Sequence, residues 1–256
     1  MKSGISFHAD ARDGASRRLG VKIEIDGPFT GNILELRFPR WVPGSYFIRE
    51  PIQHMSDLSA TCDDKEIIIK RIDVDGVKIV GVSNASKVVV TYKLLAAEMT
   101  CRTNHLDATH VHIMPPYTWM MPTRGIDGNR MHGSHKVTLD TPDGWQTATQ
   151  LSGKEGEWYA DGRDEFLDAI MESNVNEIIS FDVGGTKQYL KLWDSGSLPI
   201  PQKGLDRFIE AMKVVIEEHF ALFGIPEWKE YWTVLHLTES GRGGLEHLRS
   251  QTSMMP

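Results

Sequence analysis

The chain has 256 residues, 28 of them basic and 35 acidic, giving a net charge of −7. That mild acidic excess excludes the clustered basic surface of a duplex nucleic-acid binder, so no nucleic-acid partner is expected. Hydrophobic residues at 40% and charged residues at 25% are ordinary globular proportions and exclude a disordered chain. No apolar run approaches the roughly 18 residues of a membrane helix. The start, Met1 to His8, lacks the apolar core of a signal peptide. No membrane partner and a cytoplasmic location are therefore expected. Cys62 and Cys101 can form neither a disulfide framework nor a zinc knuckle.

In chain order, the first two-thirds reads as sheet. Val21-Lys22-Ile23-Glu24-Ile25 alternates apolar and charged residues with the period of a half-buried strand, and residues 33–38 repeat the pattern. β-Branched runs follow at Ile67-Ile68-Ile69, at 77–82 and at 88–92. His135-Lys136-Val137-Thr138-Leu139 alternates again and stops at the turn Thr141-Pro142-Asp143-Gly144. Short strands without long helices between them predict antiparallel sheets. Residues 164–171 read as a short helix, and 178–182 and 187–193 as two strands joined around Gly184-Gly185.

The pattern changes at Leu198-Pro199-Ile200-Pro201. Leu205, Phe208, Ile209, Met212, Val215, Ile216, Phe220 and Phe223 then recur at spacings of three and four. Asp206, Arg207, Glu210, Lys213 and Glu217 take the opposite face, which predicts an amphipathic helix stopped by Gly224 and Pro226. A strand at 231–237 and the run Gly243-Gly244-Leu245-Glu246-His247 complete the chain. The expected organisation is an N-terminal β domain over 1–198 and a second unit over 199–256. One helix and one strand cannot close a core of their own. The second unit is therefore expected to be the truncated beginning of a larger domain.

Four stretches, in order, resemble the glycyl aminopeptidase family of zinc metallopeptidases. They are Trp41-Val42-Pro43-Gly44-Ser45-Tyr46 with its flanks Phe38 to Glu50, the segment Arg102-Thr103-Asn104-His105-Leu106-Asp107-Ala108-Thr109-His110, Pro142-Asp143-Gly144-Trp145 with Ala148-Thr149, and residues 220–247 ending in Gly-Gly-Leu-Glu-His. The resemblance implies a mainly β chain: an antiparallel, sandwich-like β domain followed by the start of a thermolysin-like α+β catalytic domain. It implies gluzincin chemistry with a PDZ domain further on. It also implies a parent enzyme that removes N-terminal glycine or other small residues from peptides.

Family members carry a His-Glu-x-x-His helix downstream of the Gly-Gly-Leu-Glu-His stretch. Its two histidines bind zinc from one helical face and its Glu activates the water. None of the ten histidines here has that spacing; His105 and His110 are five apart, with Leu106 where Glu is required. No metal site and no catalytic residue are expected in this chain, whose cofactor, zinc, belongs to the full-length parent. The chain alone is expected to be inactive, with the missing catalytic domain packing on the β domain.

The resemblance assigns Glu246 to the peptide's free α-amine, with Gly243 and Gly244 letting the substrate backbone approach. Read without it, the same residues are a Gly-Gly turn and an exposed Glu. His247 divides evenly between cleft lining and packing. Asp107 and His110 are candidate substrate contacts in the intact enzyme, while His110 and His112, two apart on one strand face, read as hydrogen-bonding histidines. The loop 41–50 reads as rigid packing with Arg49 in an ion pair. Residues 115–122 read as an apolar surface awaiting a cover. The rival from another class is a non-catalytic β-sandwich binding module; a third is a small metal-binding protein using His110, His112, His132 and His135.

Overall fold

The computed structural model describes residues 4–195 and 200–256. Alternation sets the architecture: Ile5, Phe7 and Ala9 on one strand, and Val21, Ile23 and Ile25 on the next, turn to the same side and are buried. They belong to an eight-stranded sheet with the spatial order Ser152–Lys154, Glu157–Ala160, His135–Asp140, Ile5–Asp10, Arg18–Asp26, Lys87–Leu95, Met55–Cys62 and Lys65–Glu66. A four-stranded sheet of Met121–Arg124, Ile33–Arg37, Gly76–Val80 and Ile69–Arg71 contributes Leu34, Leu36, Val77 and Ile79 to the same core. Two sheets sharing one apolar layer make the sandwich-like, mainly β fold that the sequence implies. Phe7 stacks on Phe166 with centroids 4.3 Å apart and meets Trp119 edge-on. Burying one such side chain contributes about 1.5–3 kcal/mol.

Two local expectations change. The strand Ile5–Asp10, unmarked in the sequence, pairs in parallel with His135–Asp140, an arrangement that the long intervening chain permits. The helix expected over 164–171 is confined to Arg163–Asp168, and Met171–Asn174 is a strand. Met171 pairs with Ile113 on one side and Thr149 on the other, so sheet pairing overrides local propensity there.

A third sheet, ordered Gln146–Thr149, Met171–Asn174, His110–Ile113 and His105–Leu106, is covered on both faces. Leu106, Val111, Ile113 and Met171 turn towards the main core. His110, His112 and Glu172 turn instead towards a fourth sheet that carries His236. That partner is a five-stranded sheet ordered Ile179–Val183, Thr186–Asp194, Glu230–Leu237, Ser250–Met255 and Gly243–Glu246. Gly243–Glu246 forms its edge, antiparallel to Ser250–Met255. The expected boundary near 198 lies outside the described residues; strands on either side of it, Thr186–Asp194 and Glu230–Leu237, pair in parallel.

The amphipathic helix runs over Gln202–Phe223 and ends at Gly224, whose φ of +86° suits glycine. Leu205, Phe208, Ile209 and Met212 pack on Leu190, Leu192 and Leu235 of the five-stranded sheet. None of its residues is fully buried, and Val214, Val215, Leu222 and Phe223 face solvent. Residues 115–122 differ from the expectation. They are buried by the chain itself, with Met114 and Tyr117 packed among Val42, Cys101, Ile170, Val234 and Leu245.

Candidate functional site

Two polar constellations lie against the five-stranded sheet, one closed and one open. The closed one surrounds Glu172, whose side chain is wholly buried. His110 Nδ1 lies 2.9 Å from Glu172 Oε1, and Asn174 Nδ2 donates to the same oxygen at 3.2 Å. His112 Nδ1 at 3.2 Å and His236 Nε2 at 2.9 Å serve Oε2. Burial alone would raise the Glu172 pKa, but His236, His110 and His112 outweigh it and hold the carboxyl well below the usual range. Behind His110, His105 Nδ1 approaches His110 Nε2 to 2.6 Å, and Trp193 stacks on the His110 ring at 3.8 Å. Burial, aided by His110, pushes the His105 pKa down to about 4. Burial also lowers Lys191 to about 8 against the opposing pull of Glu172; its ammonium donates to the carbonyls of Asn174 and Asn176.

Ligand atoms of His110, Glu172 and His236 lie within 4.8 Å of one another, as do those of His105, Asp107 and His110. The first set does not fit a catalytic zinc. Its carboxylate already accepts four hydrogen bonds, a buried ammonium stands nearby, and no ligand side chain is exposed. A catalytic zinc keeps one position open to water. Asp107 Oδ1 accepts from the Thr109 amide and hydroxyl, each at 2.7 Å, and from the His110 amide at 3.1 Å. That carboxylate shapes its own turn.

The open constellation lies on the edge strand Gly243–Glu246. Glu246 is exposed and borders two cavities. One, of about 560 Å³, lies between the long helix and the sheet and is lined by Phe208, Met212, Phe220, Trp228 and Tyr231. The other, of about 710 Å³, is bordered by Pro43, Gln150, Asp164, Asp168 and His247. The strand backbone of Glu246 pairs with Gln251, but its carboxylate makes no hydrogen bond or ion pair with any described residue. Burial, with Glu246 and Asp168 nearby, raises the Tyr231 hydroxyl to about 12; it donates to the Ser250 carbonyl at 3.0 Å.

The strand itself is clamped. Asp168 accepts from His247 Nδ1 at 2.9 Å with one oxygen and from the Leu248 amide at 2.8 Å with the other. Arg102 Nη2 donates to the Gly244 carbonyl at 3.2 Å. A Cβ on Gly44, whose φ is +77°, would meet Leu245 Cδ1 at 2.9 Å, so the 41–50 loop lies directly on this strand. In that loop Val42 and Ser45 are buried, while Trp41, Tyr46, Phe47 and Ile48 are exposed. Arg49 bonds Ser45 Oγ at 3.4 Å and forms no ion pair among the described residues, contrary to the ion pair expected there.

Of the sequence-predicted site residues, Gly243, Gly244, Glu246 and His247 therefore come together on one edge. Asp107 and His110 sit elsewhere, and neither borders the two cavities next to Glu246. Glu172, Lys191, His236 and Arg102 were not singled out by sequence reasoning. A charged residue in the buried tract Ala169 to Asn174 was the available signal for Glu172.

A family profile described as the peptidase M61 N-terminal domain matches residues 6–171. The chain belongs to that family. Among solved structures, an aminopeptidase N family protein from Idiomarina loihiensis superposes with a TM-score of 0.86 at 24% identity, over 98% of this chain and 42% of its own. The M1 zinc metallopeptidase from Deinococcus radiodurans gives 0.51 at 10% identity, over 98% and 59%. Yeast LTA4 hydrolase in complex with bestatin gives 0.55 at 10% identity, over 98% and 39%. At these identities the superpositions establish the fold. No curated protein sequence matches significantly. The chain thus spans less than two thirds of each of these three structures and shares its fold with the part it covers. Among the described residues, no helix is long and apolar enough to cross a membrane.

Proposed function

We propose that this M61 chain is the substrate-anchoring front part of a zinc aminopeptidase, with Glu246 receiving the free α-amine of a peptide. The observation that carries this reading is Glu246 itself: an exposed carboxylate without a protein partner, on a glycine-bearing sheet edge, bordering two cavities. An ammonium brought to about 3 Å from it forms a charge-assisted hydrogen bond, which an internal peptide segment cannot offer. Gly243 and Gly244 present backbone without side chains to an extended ligand. In this reading 1–198 is the N-terminal β domain and 199–256 opens the catalytic domain. The intact enzyme would be a cytoplasmic gluzincin with a PDZ domain and a preference for glycine or small residues. Its zinc and water-activating Glu lie in a catalytic domain that packs on this chain.

The uncovered apolar face of the Gln202–Phe223 helix supports such packing. The rival, a non-catalytic β-sandwich binding module, draws on the exposed Tyr46-Phe47-Ile48 run. Purified chain is expected to retain no stoichiometric zinc and to turn over no glycyl reporter. It should bind a glycyl peptide in a manner abolished by N-acetylation or by Glu246→Gln. Turnover surviving contaminant controls would sink the inactivity; binding indifferent to acetylation would sink the amine anchor.

A further inference from the structure

Glu246 is half of a charge pattern. Arg102 lies two residues back along the same edge, beside Gly243 and Gly244. Its Nη2 donates to the Gly244 carbonyl at 3.2 Å and its Nη1 approaches Cys101 Sγ at 3.4 Å. A guanidinium has five N–H donors in a planar fork, and these two contacts leave the rest without an acceptor among the described residues. No carboxylate of the described residues forms an ion pair with Arg102. Arg49 belongs to the loop that lies on this strand through Gly44 and Leu245; it bonds Ser45 Oγ and has no ion pair among the described residues. A half-buried guanidinium with donors to spare, set against a strand edge, is suited to an anion.

The spacing says which anion. Gly244 and Glu246 are two residues apart on a strand, about 7 Å, and two extended peptide residues span about the same length. A Cβ on Gly243 would lie 3.6 Å from Arg102 Nη1, ordinary contact distance, so the guanidinium borders this stretch of the strand. We infer that Arg102, supported by Arg49, binds the C-terminal carboxylate of a short peptide whose amine is held by Glu246, so that the edge strand selects free di- and tripeptides. The inference rests on the amine-anchoring role of Glu246. A planar carboxylate matches the guanidinium fork in a way that a lysine could not reproduce.

The test is an NMR titration of the 15N-labelled chain with three probes: glycyl-alanine, its C-terminal amide and its N-acetyl derivative. Amidation is expected to weaken binding about tenfold or more, the worth of one charge-assisted hydrogen bond. In Arg102→Gln the free and amidated peptides should bind alike. Equal binding of both by the unaltered chain overturns the carboxylate role, and if acetylation still abolishes binding, the Glu246 reading survives alone. Sensitivity to amidation without sensitivity to acetylation supports Arg102 and removes Glu246. Failure of all three probes to bind overturns both. Because the decisive comparison varies the ligand, it holds even if Arg102→Gln does not fold.

Discussion

The Glu172 cluster and the Gly243–Glu246 edge are built from the same kinds of residue and put them to opposite ends. Around Glu172, four donors meet two carboxylate oxygens inside the protein. On the edge, the Glu246 carboxylate and the Arg102 guanidinium are spaced two strand residues apart, and neither forms an ion pair among the described residues. Titratable residues that satisfy one another are architecture; those kept apart by a rigid strand are free to meet a ligand. The contrast also separates the histidines, since His110, His112 and His236 serve Glu172, whereas His247 serves Asp168 and so the edge.

The sharpest way to break the closed half is Glu172→Ala. It strips the acceptor from three buried imidazoles and leaves Lys191 without its nearby counter-charge. A loss of about 3–5 kcal/mol is expected, as for other broken buried ion networks, read from urea unfolding. A loss below 1 kcal/mol would mean that the cluster does not join the two sheets.

Acid probes the same cluster more gently. His105 is held neutral, with a folded pKa of about 4 against an ordinary 6.5. A base whose folded pKa is depressed costs nothing above its unfolded pKa, where both states are neutral. Between pH 6.5 and 4 only the unfolded chain takes the proton, so stability falls with pH. At pH 4 this amounts to about 3 kcal/mol from His105. Glu172 works in the same direction: its lowered pKa stabilises the fold above the ordinary carboxyl range, and that contribution is lost as pH falls below it. Unfolding midpoints measured at pH 7, 5.5 and 4 should decline steadily, and a flat profile would contradict the buried neutral His105.

On the open half, Asp168→Ala removes the clamp on His247 and Leu248 and leaves the buried His247 donor unmatched. About 1–2 kcal/mol is expected, with faster hydrogen exchange at the Leu248 amide and at Gly243–Glu246. Unchanged exchange there would show that Arg102 and the 41–50 loop suffice to hold the edge.

How much of this was legible beforehand follows from range. The alternation of Val21 to Ile25, the three-four spacing from Leu205 to Phe223 and the Gly-Gly-Leu-Glu-His run are local, so strands, helix and edge could be read directly. Glu172 meets His110, His112 and His236 across 60 to 64 positions and across two sheets, and no spacing rule joins them. Arg102 reaches Gly244 over 142 positions. The apolar run 115–122 looked like an outer surface because its covering residues, Val42, Ile170 and Leu245 among them, come from three distant segments.

The smallest expected effect is the most telling for the comparison. Glu246→Gln conserves shape and removes one exposed charge that contacts no protein donor. Its stability should therefore stay within about 0.5 kcal/mol of the parent chain, the ordinary range for surface substitutions. Placed beside Glu172→Ala, it makes a buried and an exposed carboxylate differ severalfold in their structural worth. If urea unfolding instead gave a loss above 1 kcal/mol, Glu246 would hold some part of the fold together, and its exposure could no longer be read as provision for a ligand. If stability stays level while binding of a free-amine peptide disappears, the carboxylate has no purpose on this edge except the ammonium it meets.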